Sequence, residues 1–143
     1  MIETIRATQL HQQAGAYYVR IEAMMKKYGF GLDVEFDGND TPETKYIVIT
    51  NDGFPVGTCR ILENDEITAS IGRVVILEEF RKQGLGARAV SEAENWLREL
   101  GFKAVYVNSR TTAVGFYEKL GYKAVTGEVF NDTFDCVRME KEL

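Results

Sequence analysis

The sequence predicts a mixed α/β fold in which an antiparallel meander leads through a crossover helix into a parallel strand. Three observations carry this. Apolar runs at 46–50, 56–62 and 67–77 are separated by the turn residues Asn51-Asp52-Gly53 and Asn64-Asp65, which is hairpin punctuation. The spacing then becomes helical, with Leu85, Ala89, Ala93, Trp96, Leu97 and Leu100 on one stripe. The short apolar run 104–107 follows, and a strand reached through a crossover helix is a parallel one.

The remaining elements follow in order. Residues 2–7 alternate weakly and read as a first strand, and Leu10, Ala14, Tyr17, Tyr18, Ile21 and Met24 or Met25 recur at helical spacing until Gly29 and Gly31. The stretch 33–43 is acidic and turn-rich, a loop with at most a short helical turn. Gly101 closes the helix after the third meander strand, supplying the left-handed residue that ends helices. Ala113, Phe116, Tyr117 and Leu120 form a further helical stripe closed by Gly121, and 124–130 and 136–139 read as strands joined around Asn131-Asp132. The predicted order is β α β β β α β α β β. With no repeat, low-complexity tract or Pro/Ser linker, residues 1–143 read as a single domain.

Composition narrows the function classes. The chain has 143 residues, 45% hydrophobic and 27% charged, with 22 acidic against 17 basic residues and a net charge of -5. That excludes a disordered or fibrous chain. The longest uncharged apolar run, 74–77, is far short of a membrane span, and residues 1–6 carry Glu3 and lack an apolar signal region, so no membrane partner and a cytoplasmic location are expected. Cys59 and Cys136 then read as reduced strand residues. The lone His11, without a CxxC or HExxH, leaves no ligand set for a metal and no Ser-His-Asp triad. Residues 1–72 hold six basic and eleven acidic residues, 73–123 nine and six, and 124–143 two and five. An acidic protein with a basic middle is a poor nucleic-acid binder and points to a small anion held locally.

The strongest local signal is Arg81-Lys82-Gln83-Gly84-Leu85-Gly86-Ala87 between a strand and a helix. Two glycines remove the Cβ atoms that would bar a ligand from the backbone, while the first helical N–H groups lack internal partners. The helix dipole, Arg81, Lys82 and Arg88 add positive charge, so this is a cradle for a diphosphate. The structural alternative is that Gly84 merely starts a helix close to a neighbouring strand. Residues 84–89 also satisfy the relaxed G-x-G-x-x-A dinucleotide fingerprint of an NAD(P)-dependent oxidoreductase. Against that, residues 78–83 separate the strand from the first glycine, and Asn108 stands where an acidic residue is required.

Residues 73–86 resemble motif A of the GCN5-related N-acetyltransferases (GNAT), whose signature is Gln/Arg-x-x-Gly-x-Gly/Ala after a strand. Residues 108–122 resemble motif B, with Asn108, Ala113, the Phe116-Tyr117 pair and the ending Leu120-Gly121-Tyr122. Residues 35–40 and 55–61 are similar to a branch of small bacterial members, so the resemblance covers most of the chain. It implies a mostly antiparallel sheet flanked by helices, with a splayed parallel pair formed by the strands ending at Leu77 and Val107. It also implies acetyl-CoA as donor and a small-molecule or peptide amine as acceptor. Backbone amides of Gln83, Gly84, Leu85, Gly86 and Ala87 would hold the pyrophosphate, with Arg81 and Lys82 near the phosphates. Val74, Val75 and Ile76 would pair with the pantetheine arm as an added strand. Asn108 would hydrogen-bond that arm, although a polar residue there also suits a helix cap.

Direct acyl transfer needs a free amine, a stabilised oxyanion and a proton for the departing thiolate. The motif assigns that proton to Tyr117, which its apolar stripe would otherwise place in the core. The general base is not readable: Ile71-Gly72-Arg73 offers no carboxylate where many members have a Glu. Glu35, Asp37, Glu63, Asp65, Glu66 or ordered water remain as sources. A thiol nucleophile at Cys59 or Cys136 is disfavoured. The acceptor pocket would be built by the first helix, the acidic loop and the C-terminal strands, whose acidic character suits a cationic amine. A homodimer is open, since dimers are common in the family, and a module that binds acetyl-CoA or CoA without turnover is the alternative to an enzyme.

Overall fold

The computed structural model describes residues 1–143. Its strands are β1 (Ile2–Ala7), β2 (Lys45–Asn51), β3 (Phe54–Glu63), β4 (Thr68–Ile76), β5 (Ala104–Arg110), β6 (Lys123–Asp132) and β7 (Phe134–Glu142). Its helices are α1 (Leu10–Arg20), α2 (Lys26–Tyr28), α3 (Leu32–Glu35), α4 (Leu85–Glu99) and α5 (Val114–Lys119), with a π-helical turn, Ile21–Met25, joining α1 to α2. The strands form one sheet in the order β1-β2-β3-β4-β5-β7-β6. Every neighbouring pair is antiparallel except β4 and β5. This is the predicted mixed sheet and not a doubly wound parallel one, so the dinucleotide fingerprint at Gly84 lacks the fold that gives it meaning.

Alternation along the strands explains the layers. In β1, Ile5 and Ala7 join Ala16, Tyr17, Tyr46 and Val48 beneath α1. The intervening Arg6 turns to the opposite face and bonds Glu92 and Glu99 of α4. On that face Ile47, Ile49, Cys59, Ile61 and Ile71 pack with Leu85, Ala89, Val90, Ala93 and Leu97. Both faces of the central strands are therefore covered, and β3 is buried almost end to end.

Most strand boundaries differ from expectation, β7 above all, which runs Phe134–Glu142 rather than 136–139; three differences bear on the site. The first helix is not uniform, because a π turn precedes its end at Gly29 (φ 76°). β4 ends at Ile76 rather than Leu77. β5 runs to Arg110 rather than Val107, because β7 pairs with it along its whole length, from Ala104↔Glu142 to Arg110↔Cys136. Asn108 is thus a strand residue opposite Arg138, which sets aside its reading as a helix cap.

The loop 33–43 is acidic but not merely solvated. Arg20, fully buried, donates from Nε to Glu35 (2.9 Å) and from Nη1 to Asp40 (2.6 Å). Arg60, also buried, donates to Asp37 (2.9 Å) and Asp40 (3.0 Å), and the Tyr46 hydroxyl donates to Asp40 (2.6 Å). Buried charges persist when paired and hydrogen-bonded in this way, and the network clamps the loop and α3 against the sheet.

Candidate active site

The parallel pair defines the site. β4 and β5 are in register only at Thr68↔Ala104, Ala69↔Val105 and Ser70↔Tyr106. Beyond that point they part, β4 continuing to Ile76 and β5 to Arg110. A bulge helps β4 bend away: Thr58 pairs with Val75 and Arg60 with Gly72, so Arg73 and Val74 share one position opposite Cys59. Arg73 takes a left-handed conformation there (φ 50°), an uncommon one for a residue other than glycine. A cavity of about 650 Å³ fills the gap. The β4 edge from Ile71 to Ile76 lines one side, and Asn108 and Arg110 line the other.

Of the predicted site residues, Val74, Val75, Ile76, Arg81, Gly86, Asn108 and Tyr117 all line this cavity, whereas Lys82, Gln83, Gly84, Leu85 and Ala87 do not. Leu85 directs its side chain into the core, while Lys82, Gln83 and Gly84 are exposed. Lys82 (φ 62°) and Gly84 (φ 76°) are both left-handed, and Gly84 caps α4 without a side-chain hydrogen bond. The first intrahelical bond runs from the Arg88 N–H to the Gly84 carbonyl, leaving the N–H groups of the first turn for an external acceptor. A Cβ on Gly86 would touch the Phe116 ring at 3.4 Å, an ordinary contact, so any larger side chain there would press on α5 at the cavity. Arg81 bends back, its Nε donating to the Ile76 carbonyl (3.0 Å).

Tyr117 is 8% exposed and packs edge-on against Phe116 and Tyr122. The other two deeply buried tyrosines bond carboxylates inside the protein, Tyr46 to Asp40 and Tyr122 to Glu94. The Tyr117 hydroxyl has no such partner and is not sealed from the cavity. Burial pushes its pKa up, against an opposing pull from the Arg110 charge. The phenol therefore stays protonated, and in a proton transfer it is the giving group.

No suggested base is a free carboxylate in the cavity. Glu63 pairs with Lys45 (2.9 Å), and Asp65 accepts the N–H groups of Ile67 and Thr68 in its turn. Glu35 and Asp37 do line the cavity, but Glu35 is paired with Arg20 and Arg73, and Asp37 with Arg60 and Arg73. Burial pushes Asp37 up, but bonds from Arg60 and the Asn39 N–H more than offset it and leave its pKa below the ordinary value.

Cys59 donates weakly to the Ala89 carbonyl, and burial pushes its thiol up to about 12. At pH 8 the native protein is expected to present at most one reactive thiol to an aromatic disulfide reagent, and two in urea. Two in the native state would contradict the burial of Cys59.

Sequence reasoning looked to the first helix, the acidic loop and the C-terminal strands for the other end of the cavity but singled out none of its aromatic residues, nor Arg110. Met24, Tyr28, Phe30, Phe134 and Arg110 line it together. The available signal was strand period: once β5 includes Asn108, Arg110 two residues on shares its face.

An antiparallel sheet opened at one parallel pair, with a glycine-started helix beside the opening, defines an acyl-CoA transferase fold. The Acetyltransferase (GNAT) family model matches residues 8–122. The chain is 33% identical over 129 residues to a candidate acetyltransferase of Bacillus subtilis, covering 89% of this chain and 87% of that protein. It superimposes on a candidate N-acetyltransferase from Lactobacillus plantarum with a TM-score of 0.93 at 29% identity, covering 99% of this chain and 98% of that one. A GNAT family acetyltransferase from Elizabethkingia anophelis with acetyl-CoA bound shares the fold, with a TM-score of 0.68 at 14% identity over 99% of this chain and 98% of that one. The chain belongs to the GNAT family and is an acyltransferase. No helix is long and apolar enough to cross a membrane.

Proposed function

We propose that the protein transfers the acetyl group of acetyl-CoA to an amine of a small molecule or peptide by direct attack. The observation that carries this reading is the parting of β4 from β5 after Ser70↔Tyr106, which leaves the β4 edge unpaired along the cavity. The backbone of Val74, Val75 and Ile76 can pair there with the amides of an extended arm, and Asn108 faces the same gap. N–H groups of the first turn of α4, with Arg81 and Lys82 beside them, suit a diphosphate. Acetyl-CoA supplies the activated acyl carbon.

Tyr117 donates its proton towards the departing sulfur. The attacking amine gives its own proton to water, because Glu35 and Asp37 are occupied as partners of arginines. That missing base also favours a second reading, a module that binds acetyl-CoA without turnover.

Acetyl-CoA at about 100 times its dissociation constant is expected to stabilise the fold by about 2.7 kcal/mol in thermal melts, with no effect from NADPH. An equal response to both ligands, or to neither, overturns the donor assignment. Thiol release across a panel of amines separates the enzyme from the binding module.

A further inference from the structure

We propose that the acceptor is an arylalkyl amine carrying a carboxylate, with Arg110 as the anchor for that carboxylate; the inference rests on the acetyl-transfer reading above. The argument begins with how the cations around the cavity are matched. Arg73 is paired with Glu35 and Asp37, while Arg20 and Arg60 hold the same loop from inside. Arg110 has no carboxylate within ion-pair distance. Its Nη1 donates to the Tyr28 hydroxyl (3.1 Å), its Nη2 lies 3.6 Å from Met24 Sδ, and its guanidinium carbon sits 3.7 Å from the centre of the Phe134 ring. All three partners are uncharged, and Nε has none.

A half-buried guanidinium held among neutral groups carries a desolvation cost that an incoming anion relieves. Its planar fork fits a carboxylate with two parallel hydrogen bonds. Lys27, on the same cavity, also lacks a carboxylate partner. The acids facing this end are Glu35 and Asp37, both engaged, and Asp132 at the exposed end of β6. The acidic loop is therefore largely neutralised where it meets the cavity, and the charge left over beside Arg110 is positive. This reverses the expectation of a site tuned only for cations.

The walls specify the body of the acceptor. Tyr28 and Phe30 stack with ring centres 5.6 Å apart, and Phe134 meets Tyr28 edge-on at 5.2 Å. Such a cluster receives an aromatic ring in offset or edge geometry. Arg110 and Tyr117 line one cavity, and the Arg110 charge is felt at the Tyr117 phenol. An acceptor anchored at Arg110 thus places its amine on the side where the acyl group is transferred.

The test uses 4-(aminomethyl)benzoate and 4-(aminomethyl)benzamide, which share ring and amine and differ in the anionic group. A charge-assisted pair is expected to favour the benzoate by about tenfold or more in kcat/KM, mainly through KM. In Arg110→Gln that preference is expected to fall below about twofold. The ratio is measured within one protein sample, so it does not depend on how much of the variant folds. Equal use of the two amines by the wild type, a preference for the amide, or a benzoate preference that survives in Arg110→Gln overturns the proposal. Calorimetric titration of the same pair into the CoA-saturated protein separates the two levels of inference. Tighter benzoate binding that Arg110→Gln abolishes, without thiol release from acetyl-CoA in the presence of either amine, keeps the anchor and overturns acetyl transfer. Equal binding or no binding, again without turnover, overturns both.

Discussion

Asp40→Asn is expected to cost about 3–5 kcal/mol, the scale found when one partner of a buried ion pair is removed and a large share of the roughly 5–15 kcal/mol that holds a domain together. Asp40 accepts hydrogen bonds from both Nη atoms of Arg20, from Arg60, from the Tyr46 hydroxyl and from the Asp37 N–H. Asparagine removes the charge and turns two N–H donors towards groups that are themselves donors. Urea unfolding measures the effect, and a loss below about 1 kcal/mol would falsify the central role of this carboxylate. The pH dependence has a definite sign. Burial pushes Asp40 up, but its bonds from Arg20 and Tyr46 outweigh that and hold its pKa well below the ordinary carboxylate range. Its stabilisation is therefore complete above about pH 4–5 and is lost as pH falls towards the folded value. The wild type should lose stability on that acid limb, and Asp40→Asn should lose less.

Tyr117→Phe is expected to lower kcat by about a hundredfold or more, the usual worth of a positioned proton donor, while acetyl-CoA affinity changes little. The substitution removes one oxygen and keeps the ring that packs on Phe116 and Tyr122. Because the hydroxyl has no partner within the protein, its removal leaves no orphaned buried group to confound the result. Turnover equal to the wild type's would return Tyr117 to a purely structural role.

The meander was legible because β2, β3 and β4 are apolar runs cut by Asn-Asp turns, and the helix ends because Gly29, Gly101 and Gly121 all take positive φ. The residues proposed for the donor side were picked out for a similar reason: Gly84, Gly86 and Asn108 are local chemistry at fixed spacing. What stayed hidden depends on partners distant in sequence. Asn108, Ser109 and Arg110 look like a loop until β7 supplies their ladder. The burial of Arg20 has no sign in the sequence, because hydropathy cannot see Glu35 and Asp40 folding over it. The aromatic end of the cavity joins Tyr28 and Phe30 to Phe134 across most of the chain, and no periodicity reports that distance.

The π turn at Ile21–Met25 has an evolutionary consequence. A π turn holds one residue more than the helix around it. Deleting a single codon there would restore ordinary helical winding, and because the π turn spends its extra residue within one turn, everything that follows would keep its orientation relative to α1. Tyr28 would go on facing Arg110 and Phe134. The length of this helix is thus buffered, and a one-residue change at the π turn is absorbed where it occurs instead of being passed on to the cavity wall.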